Sequence, residues 1–259
     1  MEVSIPDLFS GDVETFVRGF SRETVSKTDH SLKIKPVENG YQVVSSGGNR
    51  YRGQCEGDCI LILEKELIRY FVVNLPDRFI ILHASGLRLP NRTVLFIGQP
   101  NSGKTRSVNQ LMSDSTHFIT DEMVGWFPAK WRIHPFSRPL NLHSSTKVQY
   151  PFREMEVVDS DGNKYRYGTI ESNRCITEQF CSEKIVLVLL NADQEKQSLT
   201  SISRAQAMTR LFPHVLRPKD GKERFERLRS VSRVELKCYL LGTDCIDSAL
   251  PELRSNLTL

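Results

Sequence analysis

The stretch "LFIGQPNSGKT", residues 95–105, limits what the chain can fold into more than any other part of it. Residues 94–97 read as a short buried strand, and the glycine, four residues and Gly-Lys-Thr that follow spell GxxxxGKT. A loop of this composition can turn its backbone N–H groups inward and present them, with the N-terminus of the next helix, to an anion. Lys104 adds a compact positive charge suited to β- and γ-phosphates, and the Thr105 hydroxyl is placed to ligate Mg²⁺. Val108, Leu111 and Met112 recur at spacings of three and four, which predicts a short helix after the loop. Gly98, Asn101, Ser102, Gly103, Lys104, Thr105 and Arg106 are therefore the expected nucleotide-binding residues.

The flanking sequence alternates elements as an α/β domain does. "RFIILHA" reads as a strand, residues 94–97 as a second, and "HFITDE" as a third that ends in two acids. Further on, "KIVLVLL" is a buried strand, and residues 203–212 and 223–230 are helical. Upstream, Leu32 and Ile34 alternate with Lys33 and Lys35 before Asn39-Gly40 and "YQVV", which predicts a β-hairpin; the glycine pair in "SSGGNRYRG" predicts a mobile loop. Apolar positions between residues 63 and 75 follow helical spacing and stop before Pro76. Asp161-Gly162 between "MEVV" and "KYRY" marks a second hairpin. The expected architecture is one α/β domain with β-rich decoration.

A phosphate cradle becomes a kinase when a carboxylate stands near the metal and a base near the acceptor hydroxyl. Asp121 and Glu122 are the candidates, because strands that end beside a phosphate loop deliver their last residues to the ligand crevice. His83 closes an otherwise apolar strand ten residues before the strand that feeds the loop; alone it reads more often as a packed core residue than as a site residue.

Taken together, "ILHASGLRLPNRTVLFIGQPNSGKT", "FITDEMV", "HPFSRPLNL" and "VELKCYLLGTDCIDSALPEL" resemble the catalytic region of the HPr kinase family, in particular its HPr-kinase-like branches. The resemblance implies a P-loop kinase core of the HPr kinase catalytic-domain type over residues 61–259, with residues 1–60 as a β-rich N-terminal extension packed on it. It implies ATP and Mg²⁺ as cofactors and transfer to a hydroxyl on a peptide, a protein or a small molecule. Carried over by position, it implies that Asp121 is the base, His83 orients it, Lys104 holds phosphate, and Thr105 with Glu122 serves the metal. Arg138 falls where related sequences carry an Arg-Pro pair, and fits a phosphate contact or a structural salt bridge equally. The loop departs from the family's serine-rich pattern at Gln99, Pro100 and Asn101, and Ala84 follows the histidine where glycine is usual, which argues for an acceptor other than HPr.

Composition excludes little. A net charge of +4 on 259 residues does not by itself indicate nucleic acid. The arginine-rich stretch from 204 to 233 is interspersed with Asp220, Glu223 and Glu226, as a solvated helix face would be. The longest apolar run, residues 185–190, is far short of a bilayer span, and a cytoplasmic protein without membrane contact is expected, alone or as a homo-oligomer. The six cysteines lack paired CxxC spacing, so free thiols are expected rather than a metal site. Two rival readings stay open: a P-loop GTPase, which lacks its DxxG and NKxD elements here, and an ATP-binding regulatory protein that transfers nothing.

Overall fold

A computed structural model describes residues 2–4, 16, 31–142, 150, 152–191, 199–229, 231, 235–242 and 246–257. Cys245 and Arg233, both singled out in the sequence, lie outside these residues, as does most of the stretch before Ser31. In chain order the elements run β1 (Glu2–Ser4), β2 (Ser31–Val37), β3 (Gly40–Ser45), β4 (Arg50–Gly53), α1 (Glu56–Asn74), β5 (Ile80–Leu89), β6 (Arg92–Ile97), α2 (Lys104–Leu111), β7 (His117–Thr120) and β8 (Met123–Phe127). They continue with β9 (Arg132–His134), β10 (Leu140–Leu142), β11 (Arg153–Val158), β12 (Lys164–Thr169), β13 (Phe180–Cys181), β14 (Lys184–Asn191) and β15 (Thr200–Ser201). The last are α3 (Arg204–Leu211), β16 (Val215–Arg217), α4 (Gly221–Arg229), β17 (Glu235–Gly242) and α5 (Ile246–Leu257). The chain is mixed α/β, and no described helix is long and apolar enough to cross a membrane.

Chain contacts divide it into two compact units. The first joins residues 1–74 to 139–145 and 152–172, and the second holds 75–138, 146–151 and 173–259. In the first unit a four-stranded sheet in the order β1-β2-β3-β4 and the antiparallel trio β10-β12-β11 accompany α1. Its core is Leu32, Ile34, Val43, Ile60, Leu63, Met155, Val157 and Tyr167. The expected β2–β3 hairpin forms around Gly40, which sits at φ +120°, where a side chain would meet the Gly53 carbonyl. The "SSGGNRYRG" stretch is a correction to the sequence reading. It makes a tight turn with Gly48 at φ +85° and Asn49 N bonded to Ser45 Oγ, then becomes β4, paired with β3 from Arg50 to Gly53. A four-residue edge strand made largely of arginine and tyrosine has no apolar alternation by which to announce itself.

In the second unit the largest sheet runs β13-β9-β8-β5-β6-β14-β17-β15, with β7 and β16 also paired to β5. Strands β6, β14 and β17 are parallel neighbours, and β6 and β14 are nearly continuous apolar runs, as strands covered on both faces require. The ten-residue β5 positions the site. Residues 80–83 pair with β8, residues 84–89 pair with β6, and β7 joins it from Gly86 onward. Partner exchange at His83 and Ala84 leaves room for the turn between β7 and β8, whose Glu122 carbonyl accepts a hydrogen bond from the Ala84 N–H at 3.2 Å. That turn carries Asp121 and Glu122.

The arginines of the 204–233 stretch are not simply a solvated face. Arg224 stacks on Phe212 at 4.9 Å and donates to the Phe212, Pro218 and Lys219 carbonyls, while Arg217 donates to the Leu75 and Pro76 carbonyls and Arg227 to that of Phe79. A guanidinium can satisfy several carbonyls at once. Arg217 and Arg227 pin β16 and α4 against the loop that leads into β5, while Arg224 ties α4 to the segment before it.

Candidate functional site

The GxxxxGKT segment leaves β6 at Gly98, where an added side chain would run into Ser102 Oγ and Leu190. Asn101 at φ 63° and Gly103 at φ 89° both take left-handed backbone, which turns the loop tightly before α2 begins. Gly103 is the N-cap of α2 and supplies no side-chain cap, so the first N–H groups of the helix are free of side-chain partners at that position. Ser102 Oγ is buried with no hydrogen-bond partner among the described residues. Lys104 is buried, and its ammonium donates to the Gly98 carbonyl at 3.1 Å and the Gln99 carbonyl at 2.9 Å. Burial pushes its pKa down, while Asp121 and Glu122 oppose the shift. Arg106 pairs with Asp247 of α5, so its charge is balanced there.

Asp121 is 4% exposed. Its carboxylate accepts from the Thr105 hydroxyl at 2.8 Å on Oδ1 and 3.0 Å on Oδ2, and from the Ser85 hydroxyl at 2.8 Å on Oδ1. Glu122 is more open, with its side chain 33% exposed, and accepts from Arg138 Nη1 at 3.3 Å. Its other oxygen lies 3.6 Å from His83 Nε2. Burial first, then the neighbouring Lys104 and Arg138 charges, push the His83 pKa down to about 4. The imidazole is therefore neutral at pH 7, and its approach to Glu122 is a contact without an ion pair.

The residues expected from sequence thus meet in one place: the loop, Lys104, Thr105, Asp121, Glu122 and His83 all belong to the second unit. Arg138, weighed as a phosphate contact or a salt bridge, is buried against Glu122. Two further residues escaped the sequence reading. Ser85 lies two positions after His83 on the same face of β5, and strand alternation alone could have raised it. His214 precedes β16, and its pKa is lowered by burial first, then by His83 and Lys104. Its place depends on a pairing of β16 with β5 that spans more than 130 residues, and no local pattern signals that.

The donor set fits Mg·ATP on three grounds. The loop presents uncapped N–H groups, an orphaned buried hydroxyl and a lysine aimed at carbonyl oxygens that a phosphate can replace. Thr105, Asp121 and Glu122 offer only oxygen ligands, the chemistry Mg²⁺ takes. One carboxylate with a hydroxyl leaves positions for phosphate oxygens and water.

No family model matches the chain, and no curated protein matches it. Among solved structures, the chain is similar to the HPr(Ser) kinase/phosphatase from Coxiella burnetii at 10% identity and a TM-score of 0.30, over 69% of this chain and 92% of that one.

Proposed function

We propose that the chain is an ATP-dependent kinase that transfers a phosphoryl group to a hydroxyl. The observation that carries this reading is the join between loop and acids: the Thr105 hydroxyl of the GKT sequence is bonded to both oxygens of Asp121, with Glu122, His83 and Arg138 beside it. Bound Mg·ATP would supply the phosphoryl group and a divalent charge to offset the charge that develops in transfer, with Thr105 and Asp121 as the residues that would hold the metal. The N-terminus of α2 and Lys104 bind and orient those phosphates, a task in which positioned donors do most of the work.

The division between the two acids follows from exposure. The resemblance gives the base to Asp121 and the metal to Glu122; the hydrogen bonds support the reverse. A carboxylate buried against the metal-ligating threonine is suited to hold Mg²⁺ and has little access to an acceptor. Glu122 is open enough to accept the proton of an incoming hydroxyl at a carboxylate oxygen as the new O–P bond forms and the old one breaks. Arg138 holds Glu122 in place, and His83 borders it.

The test combines binding and product chemistry. Titration calorimetry is expected to show Mg·ATP binding that weakens ten-fold or more in Lys104→Ala, since a charge in contact with phosphate is removed. Incubation with γ-labelled ATP and a panel of serine and threonine peptides, sugars and small alcohols is expected to yield an acid-stable ester. Unchanged ATP affinity in Lys104→Ala, or an acid-labile phosphoramidate product, overturns the assignment.

A further inference from the structure

In the first unit, the second half of α1 and the turn between β3 and β4 form a cavity of about 90 Å³. Its walls include Leu32, Ser45, Asn49, Glu66, Arg69 and Val73. One of them is a buried carboxylate that the fold uses on one side only. Glu66 is 8% exposed. Its Oε1 accepts from the Tyr51 hydroxyl, and Arg69 Nη1 stands 3.5 Å from the same oxygen. That bond to Glu66 is the main cause that raises the Tyr51 pKa, so the phenol keeps its proton and remains the donor. Oε2 accepts no hydrogen bond among the described residues. A carboxylate has acceptor sites on both oxygens, and one held this far from bulk water is stabilised by each donor that reaches it. Oε2 is not sealed inside the protein, so such a donor comes by way of the cavity.

Arg69 follows on the same helix face, with its side chain 57% exposed. The Asn49 side-chain oxygen accepts from it in the amide orientation that satisfies both groups, and the guanidinium fork has further N–H groups to give. The cavity thus presents one negative and one positive group side by side. A purely cationic ligand meets repulsion from Arg69, and a purely anionic one from Glu66. The complement is a ligand whose own cation and anion are equally close, as an ammonium and a carboxylate on one carbon are. One water-sized group needs about 10–15 Å³ of cavity, so this one holds about six to nine non-hydrogen atoms, a count that alanine and valine meet and tryptophan exceeds. We propose that this cavity is a binding site for a small α-amino acid, with its ammonium on Glu66 Oε2 and its carboxylate on Arg69. Leu32 and Val73 supply apolar wall for a short aliphatic side chain. The site belongs to the first unit and the phosphate loop to the second, so either reading can fail without the other.

The experiment titrates the full ¹⁵N-labelled chain with alanine and with valine and follows its backbone amide signals. Saturable shifts are expected in the turn from Ser45 to Asn49 and along the second half of α1. Ethylamine lacks the carboxylate and propionate lacks the ammonium; each is expected to bind at least about ten-fold more weakly than alanine, the effect of losing one hydrogen-bonded charge pair. Tryptophan is expected not to bind. Glu66→Gln keeps an acceptor for Tyr51 and removes the charge, and is expected to weaken alanine about ten-fold or more. Should that variant not fold, Arg69→Ala, a change at an exposed helix position, is expected to do the same. The inference falls if no signal moves with alanine or valine, if the signals that move lie elsewhere, or if ethylamine or propionate binds as tightly as alanine. It falls as well if alanine keeps its affinity in either variant.

Discussion

At the scale of single residues, two adjacent acids differ in surroundings, and the roles proposed for them follow from that difference. Asp121 is buried and bonded to Thr105 and Ser85, whereas Glu122 is one-third open and bonded to Arg138. Replacing a carboxylate by its amide keeps the shape and removes the charge, so each variant reports one function. Asp121→Asn is expected to raise the Mg²⁺ concentration needed for half-maximal nucleotide binding by ten-fold or more, because a charged oxygen ligand is lost. Glu122→Gln is expected to leave that concentration within about two-fold and to lower kcat by roughly 10² or more, the usual loss when a positioned base is removed. Magnesium titrations followed by calorimetry and steady-state phosphate transfer separate the two effects. The opposite pattern, with Mg²⁺ dependence lost in Glu122→Gln and kcat alone lost in Asp121→Asn, restores the division that the family resemblance implies.

At the scale of elements, the junction between the loop and α2 is built around one residue that must be glycine. Gly103 adopts φ 89°, and a side chain there would run into Ile246 of α5. Gly103→Ala therefore meets both backbone strain and a clash, for a combined destabilisation of about 1–3 kcal/mol, and it disturbs the N–H groups to which phosphate binding is assigned. A fall in Tm together with weaker Mg·ATP binding is expected; an unshifted Tm would show that α5 gives way freely. The glycine was legible in the sequence because GxxxxGKT requires it, and so were β6, α2, β14 and the β7–β8 acids, each marked by an apolar run or a motif. The start of α1 was not: it begins at Glu56, ahead of the apolar repeat, and its first turn contains Gly57, which reads as a breaker. Gly57 is there because a side chain would strike the Val158 carbonyl, a contact made 101 residues away in sequence. The pairing of β16 with β5 belongs to the same class, since it joins segments more than 130 residues apart and leaves no period in the local sequence, whereas alternation from His83 along β5 already points to Ser85.

At the scale of the whole molecule, the two compact units each carry a buried thiol that can report on them separately. Cys59 sits in the core of the first unit, where burial, assisted by Asp58, Cys55 and Glu56, pushes its pKa up to about 12. Cys238 sits in the core of the second, where burial raises its pKa to about 11 against the pull of Arg204. Neither forms thiolate at pH 8 while folded, so each reacts with a thiol reagent only after its surroundings open. Exposed Cys181 reacts at once and serves as the internal reference. Cys238 of β17 stands opposite Leu187 of β14, which stands opposite Leu95 of β6, the strand that ends in the phosphate loop. Opening that frees Cys238 therefore dismantles the framework on which the loop hangs, and a ligand of the loop must oppose it. At a Mg·ATP concentration of about 100 times Kd, linkage stabilises the closed form by about 2.7 kcal/mol, which slows Cys238 labelling about 100-fold when closing outpaces reaction. Peptide mass spectrometry of alkylated samples reads both cysteines in one experiment. Cys59 slows by the same factor if the two units open as one, and keeps its rate if they open independently. A Cys238 rate unchanged by bound Mg·ATP would mean that the nucleotide is held somewhere other than the loop that follows β6.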